Sequence, residues 1–241
     1  MPSRTRFNPT ANGPIHLGHA YMALVNQAEA HITHGSFLLR LEDDQDYWAW
    51  KNGPEKTREY CENIVRDLDW LGIVPDRITL QSQTHEQLQG ALDIFLRGRE
   101  LRDLAFRLQF RAPEVHGMYD YVFYPYAPYL TIHKALEDAI DSINLLIRGI
   151  DLLSENAFYE YVCEILGVFP PRAVYMPRMV LPDGQQFAQL SKTEGTGRIE
   201  DYRTKGYHPD DVLELLRKSC LIDHSGPWLI QNVKDKPVWI G

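Results

Sequence analysis

Hydrophobic positions along the 241-residue chain fall into short blocks whose spacing changes between strand-like and helix-like. The first block closes at Arg6-Phe7 and reads as the end of a strand. A turn rich in Asn, Pro and Gly follows, and then Ala20, Met22, Ala23, Leu24 and Val25 mark a helix. Gly35 interrupts the pattern, and Phe37-Leu38-Leu39-Arg40-Leu41 has the length and apolar density of a buried strand. Pro54 and Glu55 open a second helix whose stripe is Cys61, Ile64, Val65, Leu68 and Leu71, with Gly72 as its stop. Ile78-Thr79-Leu80 reads as a short strand, Gln83 to Leu101 as a helix and Arg107 to Arg111 as a strand. Ile143 to Ile147 is a buried strand with Arg148 at its carboxyl end. Ser154 is the expected cap of a helix through Phe158, Tyr161, Val162 and Leu166, ended by Gly167. Ala173 to Met176 and Met179 to Leu181 form strands around Pro177, and a last helix runs from Pro209 to Ser219.

Composition narrows the class. A hydrophobic share of 44% suits a globular protein that buries a sizeable core without staples. No apolar run approaches the roughly 18–20 residues of a membrane span. The N-terminus goes straight into Arg4 and Arg6 without the apolar stretch of a signal peptide. Cys61, Cys163 and Cys220 are odd in number and far apart, which argues against a disulfide framework and for a reducing, cytoplasmic setting. The net charge of −8 means that any face for nucleic acid must be local. Arg97, Arg99, Arg102, Arg107 and Arg111 are the densest basic segment. They read either as a phosphate-facing patch or as a solvated helix end offset by Glu100, Asp103 and Glu114.

The chemistry concentrates in the first turn. A strand-turn-helix aims free N–H groups and the positive end of a helix dipole at one point, a natural seat for phosphate. Gly13 and Gly18 lack a Cβ and let a ligand or a second stretch of backbone come close. His16 and His19, three residues apart, face the same way and can donate hydrogen bonds to oxygens whose charge grows in a transition state. Glu42, Asp43 and Asp44 end the second strand, where a carboxylate can pair with an ammonium group. The guanidinium of Arg148 matches a carboxylate in a two-point fashion.

The string RFNPTANGPIHLGH at 6–19 resembles the opening of glutamyl-tRNA synthetases, with HLGH at 16–19 similar to the HIGH signature of class I aminoacyl-tRNA synthetases. LRLEDD at 39–44 and IRGIDLL at 147–153 resemble later segments of the same family. Gln189-Leu190-Ser191-Lys192-Thr193 resembles its second signature, KMSKS, with Gln189 and Thr193 departing from the pattern and Ser191 and Lys192 keeping it. The resemblance implies an α/β fold: a doubly wound, Rossmann-like parallel sheet with a short connective insertion at about 98–127 and a small C-terminal helical segment. Residues 1–196 would be the catalytic domain and 197–241 the helical segment, with no anticodon-binding domain after it.

The activity that the resemblance implies is ATP-dependent activation of an amino acid, glutamate, to its adenylate, followed by transfer to tRNA. ATP would arrive with Mg2+. The catalytic residues would be His16, His19 and Lys192, with Gly13, Gly18 and Ser191 completing the ATP site. Arg6, Asn8, Thr10, Glu42, Tyr129 and Arg148 would bind the amino acid, Glu42 taking its α-ammonium group and Arg148 its side-chain carboxylate. Asn8 and Thr10 are larger than the residues common in the glutamyl pattern. No zinc is expected, because the insertion holds no cysteine. Its aromatic residues, Tyr119, Tyr121, Phe123, Tyr124 and Tyr126, either stack on bases or pack on their own core. Three alternatives stay open: transfer to a modified anticodon base, transfer to a non-RNA acceptor, and a paralogue that binds RNA without catalysis.

Overall fold

The structure is a computed structural model that describes residues 1–43, 53–84, 127–176 and 197–219. Five strands and six helices carry the fold among these residues: β1 (Arg4–Phe7), α1 (Leu17–Ile32), β2 (Ser36–Leu41), α2 (Pro54–Trp70), β3 (Arg77–Leu80), α3 (Ala127–Ile140), β4 (Leu145–Gly149), α4 (Leu153–Leu166), β5 (Arg172–Met176), α5 (Ile199–Thr204) and α6 (Pro209–Ser219). The expected helix at 85–101, the strand at 107–111, the aromatic loop, the strand at 179–181 and the segment at 189–193 lie outside the described residues.

β2 pairs in parallel with β1 on one side and with β3 on the other. β4 pairs in parallel with β5. The two groups meet at Asn144, whose N–H donates to the carbonyl of Arg4 at 3.2 Å while its Oδ1 accepts from the Arg4 N–H at 2.7 Å. The three-stranded sheet (order 3-2-1) and the two-stranded sheet (4-5) lie side by side along β1 and β4, which gives the order 3-2-1-4-5. The direction of growth reverses between β1 and β4, and in open sheets of this kind ligands bind at that reversal, beyond the carboxyl ends of the strands.

One apolar cluster spans both strand groups, with Phe7, Leu39, Leu41, Leu145, Ile147 and Met176 in it beside Ile15, Leu17 and Ala20 of the first turn and α1. Ile64 and Leu68 of α2, Ile199 of α5 and Val212 and Leu216 of α6 close the same cluster. Cys61 packs there too, with burial pushing its thiol up to about 11, which suits packing and not reactivity. A second cluster lies under α3 and α4, built on Leu38, Ile132, Leu146, Tyr159 and Val162.

Local signals act as the residue types require. Gly35 sits so close to the N-terminal strand that a Cβ would lie 1.9 Å from the Ser3 carbonyl oxygen. That contact lets the Ser36 N–H reach Ser3 O at 3.0 Å and sets β2 against β1. Gly167 ends α4 in the left-handed region at φ 69°, where a side chain would be strained. Two expectations shift. Ser154 is not the cap position of α4: that position is Leu152, which makes no side-chain cap, and a short 3-10 turn at Ile150–Leu152 leads straight into the helix. The strand expected at 143–147 is Leu145–Gly149, because Asn144 is spent on bridging to Arg4.

Candidate active site

Three segments converge at the reversal point: the turn after β1, the end of β2 and the end of β4. The turn runs on beside β2, with Ala11 N–H donating to Glu42 O at 2.9 Å and Glu42 N–H donating to Pro9 O at 3.0 Å. This pairing places Asn8 and Thr10 against the Glu42 side chain.

α1 begins with a reciprocal cap made of two histidines. Nδ1 of His16 accepts from the Gly18 N–H at 3.1 Å, and Nδ1 of His19 accepts more loosely from the His16 N–H at 3.4 Å. The rings stack with centroids 3.9 Å apart. A nitrogen that accepts from an N–H carries no proton, so each neutral ring holds its proton on Nε2. Among the described residues neither Nε2 has a partner. Burial pushes His16 down from its ordinary value, and burial together with His16 pushes His19 down to about 3. The pair therefore offers two neutral N–H donors at the positive end of α1. Gly18 matters to this arrangement, since a Cβ there would lie 3.0 Å from the His16 ring. Among the described residues nothing lies within 4 Å of the Gly13 Cβ position, so they leave the space above the turn open.

Beside the turn lies a network of charge. Arg6 is buried and donates from Nε and Nη2 to the two oxygens of Asp138, at 2.7 and 2.9 Å. Arg40, 2% exposed, donates to Asp138 at 2.8 Å and to Asp141 at 2.6 Å. The Tyr159 hydroxyl completes Asp138 at 2.8 Å. Burial works against the Asp138 carboxylate, but the two guanidinium groups outweigh it and hold Asp138 well below the usual range. Arg6 is thus braced by a carboxylate of the protein and presents only its remaining edge.

Glu42, 5% exposed, is ringed by donors. Thr10 Oγ1 donates to one of its oxygens at 2.7 Å. The Asn8 amide donates to the other, which also pairs with Lys134 Nζ at 2.7 Å. Burial raises the Glu42 carboxyl, but Lys134 and Thr10 outweigh it and keep Glu42 ionised. The side-chain oxygen of Asn8 is buried without a partner among the described residues, an acceptor still available to a ligand.

Arg148 lies 4.6 Å from the centre of the Tyr159 ring. Among the described residues it makes no ion pair with a carboxylate. Burial, and then the nearby charge of Arg6, lowers its pKa. A guanidinium in that state gains much from an arriving anion.

The structure brings together Arg6, Asn8, Thr10, Gly13, His16, Gly18, His19, Glu42 and Arg148. Tyr129 belongs to the first turn of α3, and its side chain lies outside the described residues; Ser191 and Lys192 lie outside them altogether. Asp43 serves the scaffold, accepting from the Ser82 N–H at 2.8 Å and the Ser82 hydroxyl at 2.6 Å. Sequence reasoning missed Lys134, Asp138 and Tyr159. Lys134 and Asp138 are four apart on α3 and so share a face. Buried charges at that spacing opposite Arg6 and Glu42 were the signal available. Among the described residues no group of three or more His, Cys, Asp or Glu could hold a metal ion, and no helix is long and apolar enough to cross a membrane.

Residues 3–114 match the family model described as tRNA synthetases class I (E and Q), catalytic domain. Glutamate–tRNA ligase 1 of Rubrobacter xylanophilus is 30% identical over 235 residues, which are 88% of this chain and 52% of that protein. Glutamate–tRNA ligase of Aquifex aeolicus is 25% identical over 287 residues, 93% of this chain and 58% of that protein. The glutamate-tRNA synthetase structure from Elizabethkingia anophelis superposes with a TM-score of 0.63 at 17% identity, covering 90% of this chain and 61% of that one. A tyrosyl-tRNA synthetase from Archaeoglobus fulgidus, complexed with L-tyrosine, gives 0.58 at 20% identity, covering 81% and 60%. Sheet order, histidine-capped turn and these likenesses define a class I tRNA synthetase catalytic fold. Within that class the sequence matches fall on glutamate–tRNA ligases, and residues 3–114 carry the match to the class I catalytic domain. It spans a little over half the length of these two relatives.

Proposed function

We propose that the chain is a ligase that activates an acid carrying a second carboxylate, glutamate in the relatives, as its adenylate and passes it to tRNA. The observation that carries the reading is the pair of Nδ1-capped imidazoles at the start of α1, together with a buried Arg148 that has no carboxylate paired to it among the described residues. MgATP is the co-substrate. The acid's carboxylate oxygen attacks the α-phosphorus, the α–β phosphoanhydride bond breaks, and pyrophosphate leaves with the electron pair. His16 and His19, as neutral rings, donate their Nε2–H to phosphate oxygens as charge gathers there. The open space above Gly13 suits a nucleotide close to the backbone. Arg148 takes the second carboxylate, and Arg6, Asn8, Thr10, Glu42 and Tyr129 shape the rest of the acid's seat.

Lys192, with Ser191, is assigned to the β- and γ-phosphates. The chain's reach supports this. Leu17 N–H donates to Gly197 O at 2.9 Å, and Ile199 N–H donates to Ile15 O at 3.0 Å. Gly197 lies five positions past Lys192, a span of about 18 Å at full extension. Residues 1–196 then form the catalytic part, and α5 and α6 brace it through Ile199, Val212 and Leu216.

Exchange of labelled pyrophosphate into ATP, driven in turn by each amino acid with and without bulk tRNA, tests the reading. Exchange with glutamate and labelling of tRNA are the expected results. Exchange without any labelling of RNA would point to a different acceptor, and a failure of every acid to drive exchange would favour a non-catalytic RNA-binding paralogue.

A further inference from the structure

Lys134 has no part in the proposed reaction, although it reaches the Glu42 carboxylate of the proposed acid seat. It rises from the middle of α3 and sets Nζ 2.7 Å from Glu42 Oε1, in the crevice beside the Asn8–Thr10 turn. Glu42 is a buried carboxylate, and a buried carboxylate is strongly disfavoured without a cation to face it. Two sources of ammonium can supply that cation: a substrate entering the crevice, or the protein itself. Here the protein supplies it.

The charges around the pocket then sort themselves. Arg6 and Arg40 are matched by Asp138, and Arg40 also by Asp141. Glu42 is matched by Lys134. Arg148 alone among these cations has no carboxylate of the protein beside it among the described residues. The pocket therefore asks for an anion at Arg148 and asks for no second cation at Glu42. An incoming ammonium must displace Lys134 or sit against it, and like charges at such range repel in a poorly hydrated site. Lys134 is 28% exposed in its side chain, so it can swing toward solvent, but only by giving up the ion pair.

We propose that Lys134 is a specificity-determining residue that fills the ammonium seat at Glu42, so that the pocket accepts a dicarboxylic acid whether or not its α-carbon carries an ammonium group. This rests on the assignment of the pocket to the acid in the preceding section. It concerns binding, so it can be separated from the reaction.

The test is calorimetric titration of the whole chain, with a non-hydrolysable ATP analogue present, by glutamate and by glutarate, which has the same two carboxylates and no ammonium. Wild type, Lys134→Met and Lys134→Arg are compared, with circular dichroism to establish that each is folded. Wild type is expected to bind glutarate at least as tightly as glutamate. Lys134→Met frees Glu42 while keeping the stem, and is expected to move the glutamate-to-glutarate affinity ratio at least tenfold toward glutamate. Lys134→Arg keeps a cation on Glu42 and is expected to keep the wild-type ratio. A wild type that prefers glutamate tenfold or more, or a ratio that Lys134→Met leaves in place, overturns the inference. Binding of neither acid overturns both it and the assignment of the pocket. The expected switch in binding without pyrophosphate exchange would leave the inference standing and remove the ligase reading alone.

Discussion

Leu17 donates its backbone N–H to the carbonyl of Gly197 at 2.9 Å, tying the start of the histidine-capped helix to a point five residues past Lys192. The first four N–H groups of a helix lack partners within it, and here a distant segment takes one of them. The antiparallel bridge between His16 and Arg198 extends the tie. Two stretches almost two hundred residues apart in sequence are thereby neighbours at the proposed triphosphate seat.

Removal of the Lys192 ammonium is the plainest consequence. Lys192→Ala is expected to lower pyrophosphate exchange by at least ~100-fold, the scale of losing one charge-stabilising donor. The melting temperature should stay at the wild-type value. An unchanged exchange rate would take Lys192 out of the site.

The imidazole pair makes a statement about pH. His19 lies at about 3 in the folded chain, against an ordinary 6.5. Between those values the unfolded chain binds the proton more readily, so this residue makes stability fall as pH drops below 6.5 and contributes no slope above it. NMR of the histidine rings in the ligand-free protein should show His19 as the Nε2–H tautomer with no titration down to pH 5. A midpoint near 6.5 would contradict the capped, buried geometry.

Asp138 carries the brace beneath the acid's seat. Asp138→Ala leaves Arg6 and Arg40 buried without their shared carboxylate and is expected to cost about 3–5 kcal/mol in urea unfolding. Arg77→Ala, which removes an exposed partner of Asp141, is expected to cost under about 1 kcal/mol. Equal costs for the two would mean that the network does not hold the pocket.

Gly35 sets the register of the first two strands. Gly35→Ala drives a methyl group into the Ser3 carbonyl, which is backbone and already engaged by Ser36. A loss of about 2–3 kcal/mol is expected in the same unfolding measurement. A neutral substitution would show that β1 and β2 can slide apart without cost.

Much of this was legible in the chain because its patterns are local. The apolar run at 37–41, the Pro54 start, and Gly72 and Gly167 as stops each act within a few residues, and the corresponding elements form there. The places of the HLGH turn at a helix start and of Glu42 at a strand end were legible, because Asn, Pro and Gly mark the turn and the apolar run stops at Leu41. The cap at Ser154 misled, since a 3-10 turn can feed a helix and leave the next Ser inside it. The partners of Arg6 and Glu42 were not legible. Asp138 lies 132 residues from Arg6, and only the fold brings α3 against β1. Lys134 drew no reading from the sequence, because its partner Glu42 lies 92 residues away and only the fold sets the two together.

A crystal structure of the chain with a non-hydrolysable ATP analogue tests the central claim most directly. The expected result is one triphosphate with Nε2 of His16 and His19 on its oxygens from one side and Nζ of Lys192 within hydrogen-bonding distance from the other. A triphosphate seated on the histidine turn with Lys192 directed to a different face of the molecule would contradict it.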